Sequence, residues 1–368
     1  MQFIDLQAQY KRIEADVLMG IKAVLDHGQY IMGPEIKTLE ERLAMYAGVK
    51  HVIVNASGTD ALLMALLALE IQPGDEVITS PFSFFATVEV LALVNAKPVF
   101  VDIDPITYNI NANAIEQAIT AKTKAIMPVS LYGQCAELDT IQAIARKHGI
   151  AVIEDAAQSF GATHHGKPSC SISDIGCTSF FPSKPLGGYG DSGACFTDDD
   201  VLAERLREIR VHGQSARYLH TRVGINGRMD TIQAAILIEK LKLFAEEEKL
   251  RQKVAQRYNQ LLSPFLPVPQ VLSHNTSVYA QYTIEVNHRD AFIAAMQEQG
   301  IPTAVHYPIA MHMQPALAYL GHQLGEFPHA EKASASVVSL PMHPYLSEAN
   351  QDEVVHAVRH SLSVIAEI

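Results

Sequence analysis

The sequence has 368 residues, of which 48% are hydrophobic, and its formal net charge at pH 7 is −12. A chain of this length can bury the core of one large domain and of a smaller one. The negative charge argues against nucleic-acid binding, which usually needs a basic face. Any anionic ligand must therefore be met by local donors.

Three further features bear on location and metal binding. No apolar run approaches the length of a membrane span, and the first residues lack the pattern of a secretory signal peptide. The four cysteines show none of the close paired spacings that are typical of metal sites. We therefore expect a cytoplasmic protein with free thiols, no membrane segment and no metal site. The cysteines are Cys135, Cys170, Cys177 and Cys195.

From residue 51 to about residue 196, short strand-like runs alternate with helix-like stretches. This alternation predicts βα units around a largely parallel sheet, and therefore an α/β fold. The predicted strands lie in KHVIVNAS, DEVITSPF, KPVFVDID, TKAIMPVSLYG, AVIEDAAQ, GCTSFF and GACFTDD.

The pattern changes in the last third of the chain. A long helix that begins near Asp230 turns from apolar to charged along its length, and one strand-like run and two helix-like runs follow it. Such a combination is typical of a small α+β domain. We predict a large domain over residues 1–245, with segment 1–30 packed alongside, and a small domain over residues 246–368.

Lys184 lies in SFFPSKPLGGYGDSGA, a loop rich in proline and glycine between two strand-like runs. Apolar neighbours favour the neutral form of a lysine, which a Schiff-base nucleophile needs; a solvated loop lysine is the alternative. Gly188, Gly190 and Gly193 also spell G-x-G-x-x-G, which would suggest a dinucleotide-dependent oxidoreductase. That fingerprint should open a helix, whereas a strand-like run follows here.

Asp155 ends a strongly apolar strand-like run, and open α/β sheets bind their ligands at that edge. A carboxylate there suits a protonated pyridine nitrogen, which it holds by a charge-assisted hydrogen bond. A helix N-cap is an equally open alternative. Gln158 follows three residues later and shares the face of Asp155 if a helix begins there.

Two other segments carry weaker signals. In NASGTDALLMAL, Gly58 and Thr59 stand at the start of a predicted helix, where free N–H groups and the helix dipole suit a phosphate. A plain helix cap explains the same residues. In PFSFFATVE, Phe84 is a candidate plate for stacking on a flat ring, and a core position is the alternative.

Together these motifs resemble those of the DegT/StrS-type sugar aminotransferases, which are pyridoxal-phosphate (PLP) enzymes with the fold-type I aminotransferase architecture. The resemblance extends nearly end to end, through GPEI, SGTDAL, EDAAQS, SFFPSKPLG, HGQSARYLHTRVGINGRMDTIQAA and VHYPIAMHMQP. It implies that Lys184 holds PLP as a Schiff base, that Asp155 pairs with the ring nitrogen and that Gln158 contacts the ring hydroxyl. Relatives that act as dehydratases carry histidine instead of the lysine, so Lys184 favours transamination.

The resemblance also implies how the rest of the cofactor is held. Gly58, Thr59 and Ser179 would bind the phosphate, and Phe84 would stack on the ring. The asparagine of a G-x-N-x-R motif, here Asn226, would reach the phosphate of the neighbouring subunit. A homodimer with shared active sites is therefore expected.

Within the family, several segments look most like those of enzymes that aminate UDP-2-acetamido-2-deoxy-3-oxo-glucuronate for surface polysaccharide, with glutamate as the expected donor. An arginine fork recognises a carboxylate well, and Arg228, His306 and Tyr307 are the candidate substrate contacts. Ordinary packing between domains is the alternative for His306 and Tyr307. Another keto-sugar nucleotide, such as a dTDP-3-keto-6-deoxyhexose or a UDP-4-keto sugar, and a non-catalytic PLP-binding regulator remain alternative functions.

Overall fold

The computed structural model describes residues 1–366. The helices in this part of the chain are α1 (Leu6–His27), α2 (Pro34–Ala47), α3 (Gly58–Ala68), α4 (Ala86–Leu93), α5 (Ala112–Ala118), α6 (Leu138–His148), α7 (Asp200–Arg210), α8 (Thr231–Leu262), α9 (Arg289–Glu298), α10 (Pro328–Ser336) and α11 (Glu348–Ile365). Short 3-10 helices cover Leu131–Gly133, Met311–Met313 and Pro315–Leu320.

The strands are β1 (His51–Asn55), β2 (Glu76–Thr79), β3 (Lys97–Phe100), β4 (Thr123–Met127), β5 (Ala151–Asp155), β6 (Thr163–His164), β7 (Lys167–Pro168), β8 (Ile175–Ser179), β9 (Gly193–Thr197), β10 (Gln214–Ala216), β11 (Leu219–His220), β12 (Tyr282–Glu285) and β13 (Val337–Leu340).

Seven strands form one sheet in the order β1-β9-β8-β5-β4-β2-β3. The pairs β2–β3, β2–β4, β4–β5 and β5–β8 are parallel, whereas β9 runs antiparallel to both β8 and β1. Each of the seven strand-like runs of the sequence becomes a strand of this sheet. The mostly parallel sheet confirms the predicted α/β class.

Helices cover both faces of the sheet. Since successive side chains of a strand point to opposite faces, each strand contributes to the core on either side. Ile53 of β1 packs in a core cluster with α3 and α7. Its neighbours Val52 and Val54 pack in a second cluster with α2 and α8. This two-sided burial explains why the strands read as continuous apolar runs.

The last third of the chain has a hydrophobic core of its own, built from the end of α8 and from β12, α9, β13 and α11. The sequence predicted a single strand here, which is wrong, because β12 pairs antiparallel with β13. The predicted boundary after residue 245 falls inside α8, which contributes Leu237 to one core and Tyr258 to the other. The division into two domains stays a prediction.

Other features of the described chain bear on the expectations above. The N-terminal helix α1 packs against α8 through Ile13, Val17 and Ile236. The four cysteines are free and buried. Within residues 1–366, no helix combines the length and the apolar character needed to cross a membrane.

Candidate active site

Most of the predicted site residues follow strands that end at one edge of the sheet. The carboxyl ends of parallel strands share an edge, where α/β folds bind ligands. Asp155 ends β5 and Ser179 ends β8, its parallel neighbour. Lys184 lies in the loop that follows β8, and Gly58 opens the helix that follows β1. The fold therefore gathers residues that are far apart in the sequence.

The start of α3 lies directly against Ser179. A Cβ added to Gly58 would stand 2.6 Å from the Ser179 Cβ, which is closer than two carbons can approach. Ser57 is the N-cap of α3, and its side chain accepts a hydrogen bond from the Asp60 N–H over 3.0 Å. Thr59 lies in the first turn. The backbone donors of this turn and the Ser179 hydroxyl are thus neighbours, as an anion site requires.

Asp155 is buried, and both carboxylate oxygens accept hydrogen bonds. Oδ2 accepts from the Thr87 hydroxyl over 2.7 Å, and Oδ1 accepts from the Ala157 N–H over 3.2 Å. Burial raises the pKa of Asp155, and these hydrogen bonds and the charge of Lys184 oppose the rise. Residues 157–161 form turns, so the helix N-cap alternative is wrong.

Lys184 is half-buried in a loop fixed by its own backbone, since its N–H donates to the Phe181 carbonyl over 2.8 Å. Burial lowers the pKa of its ammonium group, and the Asp155 carboxylate partly offsets this effect. Burial therefore shifts the equilibrium of Lys184 toward the neutral amine, the form that a Schiff-base nucleophile needs. The glycines after it lead into strand β9, which is not the helix that a dinucleotide-binding loop would open.

Gln158 connects the sheet edge to Tyr307. Its Oε1 accepts from the Tyr132 N–H over 2.8 Å, and its Nε2 donates to the Tyr307 hydroxyl over 2.9 Å. His306 Nδ1 lies 2.9 Å from the Ser339 hydroxyl. Burial lowers the pKa of His306 to about 4 and raises that of Tyr307. At neutral pH the imidazole is thus uncharged and the phenol keeps its proton.

Phe84 lies in the loop between β2 and α4 and is 56% exposed, so the alternative of a core position is wrong. Its ring centroid lies 5.9 Å from that of Tyr307. An aromatic side chain that stays exposed beside a polar cluster is suited to cover a flat ligand. The structure thus brings Phe84 to the same edge as Gln158 and Tyr307.

Asn226 and Arg228 stand apart from this group. Asn226 is exposed, and Arg228 is half-buried with an Nε that has no hydrogen-bond partner within residues 1–366. The carbonyl of Gly227 between them accepts from the Ala56 N–H over 2.9 Å, so the segment lies beside the loop that leads into α3. Over the described residues, neither side chain bonds to another predicted site residue.

Three polar residues of this edge were not found from the sequence: Thr87, Tyr132 and Ser339. The Thr87 hydroxyl donates to Asp155, the Tyr132 N–H donates to Gln158, and the Ser339 hydroxyl bonds to His306. In each pair the two residues are distant in sequence. Thr87 follows Phe84 by three residues, and it gives no signal of its own because it lies in an apolar helix. Only the packing of α4 against the end of β5 reveals its role.

The chain is similar to known proteins in both sequence and fold. The model of the DegT/DnrJ/EryC1/StrS aminotransferase family matches residues 11–359. A Pseudomonas aeruginosa protein named UDP-2-acetamido-2-deoxy-3-oxo-D-glucuronate aminotransferase is 55% identical over 95% of this chain and 97% of its own. A Geobacillus stearothermophilus protein named pleiotropic regulatory protein is 44% identical over 96% of each chain.

Among solved structures, NtdA of Bacillus subtilis with bound cofactor PMP superposes with a TM-score of 0.91 at 34% identity. The match covers 99% of this chain and 85% of that one. The predicted fold-type I architecture is thereby confirmed.

Proposed function

Because the chain belongs to the DegT/DnrJ/EryC1/StrS aminotransferase family, we propose that it moves an amino group from L-glutamate to the keto carbon of UDP-2-acetamido-2-deoxy-3-oxo-D-glucuronate, a step of surface polysaccharide synthesis. The predictions of this family, of a sugar aminotransferase and of PLP as cofactor are confirmed. The high identity to the Pseudomonas aeruginosa aminotransferase carries the choice of substrate.

The residues at the sheet edge fit PLP. The buried Asp155 carboxylate is suited to a protonated pyridine nitrogen, and the first turn of α3 with Ser179 is suited to the phosphate. Gln158 would contact the ring hydroxyl, and Phe84 would cover the ring. When bound, PLP supplies an aldehyde that takes up the amino group and a ring that accepts electrons.

Lys184 is the proposed catalytic residue. Its Nζ is favoured in the neutral form by burial, and a neutral amine is both a nucleophile toward the cofactor aldehyde and a base. Once the amino donor has displaced it, Nζ would take the proton from the donor's α-carbon and pass it to the cofactor carbon within the same half of the reaction. With the keto-sugar it would move a proton in the opposite direction. The Thr87 and Ala157 hydrogen bonds and the charge of Lys184 favour the ionised form of Asp155, and this carboxylate would pair with a protonated ring nitrogen.

The acceptor contacts are proposed for Arg228, His306 and Tyr307. The guanidinium of Arg228 has a buried Nε without a partner in the described chain, and a uronate carboxylate would satisfy it. The neutral His306 and the protonated Tyr307 can hydrogen-bond to sugar hydroxyls. Asn226 is exposed, and we propose that it binds the phosphate of a second subunit in a homodimer with shared sites.

The test is the product of the purified protein with glutamate and a panel of keto-sugar nucleotides. The panel contains the UDP 3-oxo-uronate, its neutral UDP 3-oxo counterpart and a dTDP-3-keto-6-deoxyhexose, and mass spectrometry identifies each product. We expect 2-oxoglutarate and amino-uronate to form fastest. Lys184→Ala should abolish turnover and the visible cofactor band, and borohydride should fix a cofactor-derived mass to the Lys184 peptide of the unmodified protein.

Three other results would contradict the proposed substrate, the enzymatic activity or the catalytic lysine. A neutral acceptor that reacts faster than the uronate would replace the proposed substrate. A visible cofactor band without any product from any pair would identify a PLP-binding regulator. Turnover by purified Lys184→Ala would refute the assignment of the catalytic lysine.

A further inference from the structure

Three histidines meet away from the sheet edge, where β6 and β7 form a hairpin. His164 ends β6, His165 follows in the turn, and His274 lies in the segment before β12. The candidate ligand nitrogens of the three rings all lie within 4.8 Å of one another. Backbone contacts hold this arrangement, because the His165 N–H donates to the His274 carbonyl over 2.8 Å and His164 forms a β-bridge with Asn275.

The surroundings of His164 fix its tautomer. Its Nδ1 lies 2.7 Å from Oδ1 of Asn275. The Nδ2 of Asn275 donates to the Gln134 Oε1 over 3.2 Å and to the Cys135 carbonyl over 3.1 Å, so the amide oxygen must face the ring. Nδ1 therefore carries the proton, and the Nε2 lone pair accepts a long hydrogen bond from the Asp139 N–H over 3.4 Å, which a bound ion would replace. An imidazole held in this way, 1% exposed, has the orientation that metal-ligating histidines show.

Carboxylates complete the cluster. Oε1 of Glu137 lies 2.8 Å from Nε2 of His274, which leaves Nδ1 of that ring free. Oδ2 of Asp139 lies 3.8 Å from Nε2 of His164. A carboxylate behind a histidine is the usual outer support of a zinc ligand. Nζ of Lys167 lies 4.0 Å from Oδ1 of Asp139, so an ion bound by this carboxylate would replace the ammonium group as its partner.

We propose that His164, His165 and His274, with Asp139 as fourth ligand, bind one divalent metal ion of the zinc type. Ligand atoms on a tetrahedral zinc ion stand about 3.4 Å apart, because each lies about 2.1 Å from the metal. The 3.8 Å spacing of Asp139 and His164 is close to that value. The exposed His165 ring is stacked on His274, with 4.5 Å between the centroids and 4° between the ring planes. Because an imidazole lone pair lies in the plane of its ring, the His165 side chain must rotate out of this stack before both rings can bind the same ion.

The chemistry of the ligands decides the class of metal. Imidazole nitrogens suit zinc and its transition-metal neighbours, whereas magnesium and calcium require oxygen ligands. Four protein ligands leave no open position, so the ion is structural. It would tie the β6–β7 hairpin to the segment before β12. The sequence predicted no metal site because His274 lies far along the chain from the histidine pair, and the cysteines offered no spacing.

The experiment is a zinc titration of the cofactor-loaded protein after treatment with a chelator, followed by competition with a chromophoric zinc indicator. We expect one ion per chain, bound more tightly than about 1 µM. X-ray absorption at the zinc edge should show three imidazole nitrogens and one oxygen. His165→Ala, at an exposed position, should weaken binding at least tenfold, and His274→Gln and His164→Gln should abolish it.

Two matched variants sharpen the test. Glu137→Gln should weaken zinc binding by about 10- to 100-fold, the usual effect of removing an outer carboxylate. His356→Gln, at an exposed position of α11, should leave binding unchanged. The proposal would be overturned if the unmodified protein had no tight zinc site. It would also be overturned if His165→Ala and His274→Gln, shown to be folded by circular dichroism, bound zinc as tightly as the unmodified protein.

Discussion

Thr87 donates a hydrogen bond from its hydroxyl to Oδ2 of Asp155 over 2.7 Å. The Ser83 hydroxyl lies 2.9 Å from the same Thr87 oxygen, and all three residues are buried. Because the Thr87 proton points to the carboxylate, Ser83 donates to Thr87. Burial raises the pKa of Asp155 and this bond lowers it, so the two hydroxyls help to keep Asp155 ionised where the pyridine nitrogen is proposed to bind.

Thr87→Val removes the hydroxyl and keeps the shape of the side chain. A hydrogen bond to a charged group contributes about 1.5–3 kcal/mol, so we expect kcat/KM to fall by roughly 10- to 100-fold, with weaker retention of PLP. Thr79→Val is the matched control, because the Thr79 hydroxyl is buried in the same sheet and bonds only to the Met127 carbonyl. If both variants lose activity equally, Thr87 has no specific effect on Asp155.

Asp155→Asn tests the charge coupling between Asp155 and Lys184. The Asp155 charge raises the pKa of Lys184 against the lowering by burial. Its removal should therefore move the pH midpoint for acylation of Lys184 in the cofactor-free protein to a lower pH. The amide has no negative charge to stabilise a protonated ring nitrogen, so turnover of the loaded enzyme should fall by at least about 100-fold.

The measurement for Asp155→Asn is peptide mass spectrometry after brief acylation across a pH series. Asp200→Asn, at an exposed position of α7, should leave the midpoint and the turnover unchanged. A midpoint that moves to higher pH would show that the two side chains do not interact as described.

The sequence predicted those site residues whose position follows from a local pattern. Asp155 and Gly58 adjoin strand ends, and an apolar run with its boundary is visible in the sequence, whereas Ser179 was proposed only from the family resemblance. Thr87 and Ser339 were not predicted, because their partners come from other elements and the pairing depends on tertiary packing. Ser339 also belongs to β13, the strand that the sequence did not predict, so no expected element placed Ser339 beside His306.

Gly58→Ala tests the close approach of α3 to Ser179. The added Cβ would lie 2.6 Å from the Ser179 Cβ, so we expect a loss of about 1–3 kcal/mol in the free energy of unfolding and at least a tenfold weaker PLP affinity. Gly20→Ala is the control, since its nearest contacts lie at 3.7 Å; in helix α1 it should stabilise by about 0.5–1 kcal/mol.

A double variant separates packing from phosphate binding. Ser179→Gly in the Gly58→Ala background removes the contacted carbon and should restore most of the melting temperature. It also removes a proposed phosphate ligand, so PLP affinity should stay low. Recovery of both quantities would argue against a phosphate contact by Ser179.

His306 makes stability depend on pH. Burial lowers its pKa from 6.5 to about 4, so between these values the unfolded chain binds a proton that the folded protein does not. The stability that the folded protein gains from keeping His306 neutral is fully present above pH 6.5. This stability is lost as the pH falls toward 4. The loss amounts to about 1–3 kcal/mol, the lower figure applying where solvent reaches the ring.

His306→Gln should therefore flatten the dependence of the free energy of unfolding on pH between 6.5 and 4, as measured by urea denaturation. Part of the slope should remain, because burial also lowers the pKa of His343 to about 4. The exposed His356→Gln provides the control and should retain the full slope. An unchanged slope in His306→Gln would show that the imidazole titrates alike in both states.

Arg228→Ala decides how the acceptor is recognised. The buried Nε of Arg228 has no partner in the described chain, and a charge-assisted bond to the uronate carboxylate would occupy it. We expect kcat/KM for the UDP 3-oxo-uronate to fall by about 100-fold, which corresponds to about 2.7 kcal/mol, while the neutral 3-oxo counterpart loses less than about threefold. Arg228→Lys keeps the positive charge but loses the two-pronged guanidinium. Its kcat/KM for the uronate should lie between those of the unmodified protein and of Arg228→Ala. Equal losses for both acceptors would show that Arg228 supports the fold or the cofactor, and that the carboxylate is bound elsewhere.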